Sequence, residues 1–532
     1  MTAGRLRRTN ALLSYRFRVM AVYGVLTAVS LQGIAEAQST VTPRLSARGI
    51  YTDNVFLSDE DEQDDFVVEI KPGVHWSQRS RRFVMDMDLE AQILGYTNNE
   101  NEDGDSVVVN PNFTLSTTST LINQYLFLDV DGEYGQRLSS LNQRASFDNI
   151  ALTGDRSDFY SYRISPYIQH RTGGGIDYLL RAEQSTVNFD LDDEDEAESL
   201  NDADTERYVV NISNRASGSR FTWALSGTES SIERANESAA QSEFRSASVN
   251  LGYRLSTRWS LIAQGGYSEN FIDGVERGVN GEYYAGGFSW YPTPRLTLSA
   301  LHGDRYSEGS LRWQPSRRTE VELVARESDV GINTGESQSV NIRWRGRRSQ
   351  LYARYDESIT NEQFLILEGE TLIPIVDPDG NPIIDPNTGN PLVIPIGNFA
   401  LADDDFLRER GEIGFTYDGR RMRTAINVYQ ETREYLNRVT LNGDSIGGNI
   451  TATIPVVAGW SFVGRVNIRD TTYDSDGAKE ITTMYRAGME QALSLKTKWG
   501  FYWQYSEQDS DREELALNFK ENRLVAEWIY KY

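Results

Sequence analysis

An all-β transmembrane antiparallel β-barrel of about 24 strands, in a range of roughly 20–26, is the fold this sequence predicts. Three observations lead there. Apolar and polar side chains alternate over stretches of about ten residues. The connections between those stretches alternate between short turns, often carrying Arg, and long acidic loops. An export-like N-terminus is followed by no apolar run approaching the roughly 20 residues of a spanning helix.

The first element is the leader. Arg5, Arg7, Arg8, Arg16 and Arg18 precede an apolar run from Val19 to Ile34, and Ala35-Glu36-Ala37 follows with A-x-A spacing. A basic segment, a short apolar segment and small residues at the cut make a secretory signal peptide. Residues 1–37 are therefore expected to be removed, leaving a barrel of residues 38–532. Ser30 and Gln32 make the run too polar for a membrane anchor. Losing five Arg and one Glu moves the formal charge from -25 to -29. That balance excludes nucleic acid as a partner, since phosphate recognition needs basic patches. With no cysteine, an exported chain draws on burial or a closed hydrogen-bonded sheet rather than on disulfides.

The strands come next. In "RFVMDMDLEAQILGY", Phe83, Met85, Met87, Leu89, Ala91 and Ile93 share one face, while Asp86, Asp88 and Glu90 share the other. The fifth candidate strand, Asn123 to Gly135, sets Leu126, Leu128, Val130 and Tyr134 against Asp129, Asp131 and Glu133. Later strands set Val321, Leu323 and Ala325 against Glu320, Glu322 and Arg326, and Val340, Ile342 and Trp344 against Asn341, Arg343 and Arg345. Met422, Ile426 and Val428 oppose Arg421, Arg423 and Asn427. A period of two means strands whose faces meet different surroundings. The apolar faces are assigned to lipid, and lipid leaves no backbone group unpaired, so the sheet must close. Asp86, Asp88, Glu90, Asp129, Asp131, Glu133, Arg343, Arg345, Arg354, Arg421 and Arg423 are thereby placed on the lumen wall. An acidic arc facing a basic arc would set up a transverse field. Ion pairs between adjacent strands would cancel it, and the sequence leaves both arrangements open.

Turns at Gln78–Arg82, Thr172–Gly175, Ser217–Arg220, Pro292–Arg295 and Asp418–Arg421 are short. They are expected to face the periplasm. The long links at Asp59–Asp65, Asn98–Ser106 and Leu191–Asp204 are expected outside. Aromatics near strand ends, among them Tyr125, Tyr134, Trp259, Tyr267, Tyr284, Trp290 and Tyr291, fit interfacial girdles. The last stretch, "RLVAEWIYKY", puts Leu524, Ala526, Trp528, Tyr530 and Tyr532 on one face. A closing strand ending in an aromatic resembles the signal read by barrel-assembly machinery, although Phe is the commoner last residue.

Chemistry is sparse. His75, His170 and His302 each fall inside an expected strand, and there is neither a cysteine nucleophile nor G-x-S-x-G. The chain is therefore not expected to be an enzyme, and no cofactor is expected. Asp192, Asp193, Glu194, Asp195 and Glu196 offer hard oxygen ligands for a divalent ion bridging lipopolysaccharide, but no fixed ligand spacing goes with them. A solvated acidic loop is the better reading. A long apolar insertion at 359–403 holds "DPDGNP" and "DPNTGNP", two turn signatures that together predict a small hairpin. It would either plug the lumen or form an outer flap. Asp377, Asp379 and Asn381 are read as turn residues rather than calcium ligands.

"YTDNVFLS" (Tyr51–Ser58), "DNIALTGDRSDFYSYRISPYIQHR" (Asp148–Arg171), "NLGYRLSTRWSLIAQGGYSE" (Asn250–Glu269) and "GGFSWYPTPRLTLSALHGDRY" (Gly286–Tyr306) recur in this order. With them the chain resembles the outer-membrane β-barrels associated with PEP-CTERM/exosortase and exopolysaccharide loci, over most of its length beyond the leader. The resemblance implies a barrel in the bacterial outer membrane, set in lipid and lipopolysaccharide and inserted by barrel-assembly machinery. It also implies a share in exopolysaccharide export together with a periplasmic polysaccharide-export protein. It carries no catalytic residues. A general porin for small solutes and a non-conducting surface or adhesion barrel are the other two functions the residues allow.

Overall fold

Alternation becomes strand pairing in the computed structural model. It describes residues 38–531 except 102–103, 139–143, 145–147, 154–155, 171–174, 190–201, 215–218, 236–240, 274–277, 332–333, 362–364, 366–371, 375–392, 396–403, 458 and 513–516. One sheet of 24 strands runs from Gln38–Thr52 to Phe519–Lys531, every neighbouring pair antiparallel. The last strand pairs back onto the first, Val525 opposite Ile50 and Trp528 opposite Ala47, so the sheet closes without a free edge.

Contacts that skip a strand identify the inner face. Arg44 of the first strand reaches Asp88 of the third, and Arg181 reaches Asp129 two strands away. Only side chains inside a closed barrel meet in this way. The opposite face carries Val68, Ile70, Leu89, Val109, Leu225, Leu251, Leu261, Val428 and Phe501, all large, apolar and uncovered by protein. An uncovered apolar band around a closed barrel matches a lipid exterior. Among the described residues no helix is long and apolar enough to cross a membrane.

Turns at one end are short, such as Ser80–Arg82 and Gly346–Arg348. The fifth strand starts later than the alternation implies, at Leu126 rather than Asn123. Gln124 sits at a φ of 68°, so Asn123–Tyr125 form the turn. Arg421 likewise falls in the turn before the strand Arg423–Tyr435, not on the wall, because the tight Asp418–Met422 reversal absorbs it. In the long insertion, Leu372–Pro374 pairs antiparallel with Val393–Pro395, a small hairpin outside the barrel sheet. The turn motif at Asp377–Asn381, the acidic run Asp192–Glu196, the leader and Tyr532 lie outside the described residues.

The wall is uneven. Most strands have 12 to 16 residues. Leu296–Asp304 has 9, Tyr306–Ser316 has 11, Thr319–Ser328 has 10 and Gly335–Arg345 has 11. Leu296–Asp304 and Tyr306–Ser316 are joined by Arg305 alone, at a φ of 58°. This arc forms a low wall at the long-loop end. Next to it the sheet is split. Gly335–Arg345 pairs with Ser349–Asn361 only from Val340 opposite Tyr355 down to Arg345 opposite Gln350. Above that, Gly335–Ser339 pairs only with Thr319–Ser328, while Asp356–Asn361 pairs only with Asp405–Asp418.

Candidate functional site: the lumen wall and its mouth

The acidic ladder of the sequence is compensated side by side. Arg44 holds Asp88 and lies 3.1 Å from Glu90, and His75 stands 3.5 Å from Asp88. Arg163 donates to Asp131 at 2.9 Å and Arg181 to Asp129 at 3.2 Å, while Arg137 reaches Glu133 at 2.9 Å. Asp86 stays at the wall beside Ser77, its cross-strand neighbour. On the basic side, Arg354 pairs with Asp356 at 3.1 Å and Arg423 with Asp418 at 3.0 Å. Arg343 and Arg345 belong to the inward parity of Gly335–Arg345, opposite Tyr352 and Gln350. Charges of opposite sign thus neutralise each other locally at these sites, between adjacent strands for Arg163–Asp131 and Arg423–Asp418, within one strand for Arg137–Glu133 and Arg354–Asp356, and across a skipped strand for Arg44–Asp88 and Arg181–Asp129. Trp528 and Tyr530 lie on the outer parity of the last strand, with their rings stacked 6.1 Å apart.

The densest charge cluster escaped the sequence reading. Glu431, fully buried on the inward face of Arg423–Tyr435, accepts from Arg433 at 2.7 Å, lies 3.2 Å from Arg408 and also binds Arg410. The Arg410 guanidinium lies 4.5 Å over the Tyr429 ring, and the Tyr429 ring lies over Gly447. The signal was there in "RERGE" and "QETRE", where charges alternate with both signs on one inward face.

Two loops enter the mouth. "YTDNVFLS" turns inward after the first strand, and Asn54, Val55 and Leu57 are buried. The Asn54 amide donates to the Ser58 and Lys520 carbonyls at 2.6 and 2.9 Å, and its oxygen accepts from the Ser58 N–H at 2.9 Å. Val55 packs with Ile150 of a second loop against Ile50, Val67, Leu94, Tyr502 and Val525, all on the inner face of the wall. Tyr96 donates its hydroxyl to the Ile150 carbonyl at 2.9 Å, and the Leu152 N–H donates to the Val55 carbonyl at 2.8 Å. Arg523 Nη1 donates to both Asp148 carboxylate oxygens, at 2.6 and 2.7 Å. Burial raises the Asp148 pKa, but the Arg523 guanidinium outweighs it and holds the carboxyl at about 2. The sequence reading left 359–403 open between a lumen plug and an outer flap, and it missed this inward pair of loops. Three apolar residues in a row, Val55-Phe56-Leu57, inside an otherwise polar link were the readable sign.

A second contact crosses the mouth. Arg234 and Ser242, on the inner faces of Phe221–Arg234 and Ser242–Arg254, meet Asp405, where Asp405–Asp418 begins. Arg234 Nη2 donates at 3.0 Å and the Ser242 hydroxyl also donates. Asn361 adds a donor at 2.8 Å. Arg234 and Asp405 are 4% and 0% exposed, so the pair is sealed from solvent. Ile272 packs on Leu436 beside it, with Phe244 and Ile359 around them. Leu365 of the long insertion is buried against Phe406 and Tyr435. The upper half of Ser349–Asn361, detached from its low-wall neighbour, thus leans across to the far wall and divides the mouth into two lobes.

This is an outer-membrane-type β-barrel. No family model matches the chain, and no curated protein matches it. Solved structures are similar in fold. The FrpB iron transporter from Neisseria meningitidis aligns at a TM-score of 0.47 and 8% identity, over 94% of this chain and 83% of that one. The ferric enterobactin receptor from Pseudomonas aeruginosa, in complex with enterobactin, aligns at 0.42 and 10%, over 93% and 82%. OpdK from Pseudomonas aeruginosa with vanillate aligns at 0.34 and 9%, over 92% and 99%. At these identities the likeness is one of architecture.

Proposed function

We propose that this chain is a bacterial outer-membrane barrel that takes part in exopolysaccharide export, as a gated passage or as part of a composite exporter with a periplasmic polysaccharide-export partner. The inner wall carries the reading. Its carboxylates at Asp88, Asp129, Asp131 and Glu133 are paired with guanidinium groups, and hydroxyls and tyrosines line the wall between such pairs, a surface suited to a hydrated polymer. The resemblance of the chain's ordered motifs to barrels of exopolysaccharide loci supports the same reading. A general diffusion porin fits the geometry less well, because two loops and one cross-lumen ion pair occupy the mouth. The test is deletion of the gene, followed by fractionation and carbohydrate staining. Polymer lost from the cell surface and retained in the periplasm is the expected result. Unchanged surface polymer would overturn the reading, and single-channel conductance would then decide on a porin.

A further inference from the structure

Behind the split in the wall lies a cleft of about 310 Å³, at the small end of the roughly 300–1,000 Å³ typical of ligand sites. Its floor is a grid of hydroxyls set by strand register. Thr228 stands opposite Ser246 and Ser246 opposite Ser268, while Ser226 stands opposite Ser248 one step down. The Ser226 and Ser248 hydroxyls are 2.7 Å apart. Tyr283 and Tyr306 form the side, with ring centroids 4.9 Å apart. The Tyr283 ring lies over Gly266, where a Cβ would come within 2.5 Å of it. Arg326 lies 5.7 Å over the Tyr306 ring and 3.2 Å from Glu308. Glu357 bridges the split, accepting from the Gln338 N–H at 3.2 Å and the Tyr355 hydroxyl at 3.1 Å. A second cleft of about 380 Å³ adjoins through Thr228 and runs to the Asp405 contact.

We infer that this cleft is a binding subsite for a neutral saccharide chain, reached through the split between Gly335–Arg345 and Ser349–Asn361. The inference deepens the export reading and rests on it for the nature of the polymer. Each Ser or Thr hydroxyl both donates and accepts, as sugar hydroxyls do. Arg326 is engaged with Glu308, and Glu357 accepts from the Gln338 N–H and the Tyr355 hydroxyl, while hydroxyls and aromatic rings rather than aliphatic chains make up most of the lining. Aromatic rings give flat apolar faces beside the hydroxyl grid. The adjoining second cleft provides length for several sugar units rather than one.

The test is calorimetric titration of the refolded full chain in detergent with cellohexaose and, separately, with hexagalacturonate. Cellohexaose is expected to bind. The double variant S246V/S268V is expected to weaken it by about tenfold or more, since each lost hydrogen bond is worth about 1 kcal/mol, while S116V, on Val107–Ile122 outside the cleft, leaves it unchanged. Valine suits a strand, and the heat-modifiable gel shift of the closed barrel confirms folding of each variant. Absence of binding by wild type, or equal affinity in the double variant, would overturn the inference. Tighter binding of hexagalacturonate, insensitive to the double variant, would also overturn it and move recognition to the arginines around Glu431. Polymer staining in the deletion strain uses no purified ligand, so failure of the export reading and failure of this subsite are told apart.

Discussion

Inward tyrosines repeatedly lie over a glycine directly opposite on the next strand: Tyr283 over Gly266, Tyr352 over Gly414 and Tyr429 over Gly447. Strand propensity alone would favour valine at such a glycine. Here the ring occupies the space, since a Cβ at Gly447 would approach the Tyr429 ring to 2.5 Å. G447V is therefore expected to destabilise the barrel by about 1–3 kcal/mol through overpacking, measured by urea titration in lipid. A gain in stability would show that Tyr429 moves freely. Asp405 gives a second residue-scale expectation. Its removal in D405A leaves Arg234 buried without its carboxylate, a loss of about 3–5 kcal/mol for a buried pair. The cross-mouth contact should open, and single-channel conductance should rise above wild type. Identical conductance would mean that the contact does not restrict the lumen.

At the scale of elements, the two inward loops are held to the wall by the Arg523–Asp148 ion pair, a small apolar cluster and hydrogen bonds such as Asn54 to the Lys520 carbonyl and Tyr96 to the Ile150 carbonyl. The Asp148 carboxyl, at about 2, lies below the free side chain's range near 4. A depressed folded value means that the anchor is fully present above about pH 4 and is lost as pH falls through about 2. Pepsin cleavage around Ile150–Leu152, in the loop that Asp148 anchors, should therefore be low at pH 4 and rise steeply towards pH 2. In R523Q the same cleavage should already occur at pH 4. Matching digestion of wild type and variant at pH 4 would disprove the anchoring role. The loop sequence "DNIALT" shows why the second loop was hard to read: nothing in its local pattern distinguishes an inward loop from an outward one.

For the whole molecule, stability depends on closure and on the apolar exterior. Val428 sits near the middle of Arg423–Tyr435, faces outward and is 53% exposed to the surroundings of the barrel. V428R is expected to cost about 2–4 kcal/mol at the membrane midplane, read from folding titrations into bilayers of defined thickness. A cost near zero would place that band outside the lipid. The low wall and the adjoining split belong to this scale too. They arise because four consecutive strands are short while Ser349–Asn361 and Asp405–Asp418 continue above them.

The sequence by itself determined a closed barrel of about 24 strands and the alternation of two faces along the strands it read. Those follow from a period of two, turn spacing and the rule that lipid tolerates no open sheet edge, all local or nearly local properties. It also supplied the acidic ladder from Asp86 to Glu133. Only the tertiary structure decided what neutralises that ladder, because Arg44 and Arg181 reach over an intervening strand and Arg163 comes from the paired neighbour. The same holds for the inward fold of Val55 and Ile150 and for Arg234 meeting Asp405, 171 residues apart. Pairing with the next strand is written in the chain, whereas contact across a lumen depends on how the closed wall bends.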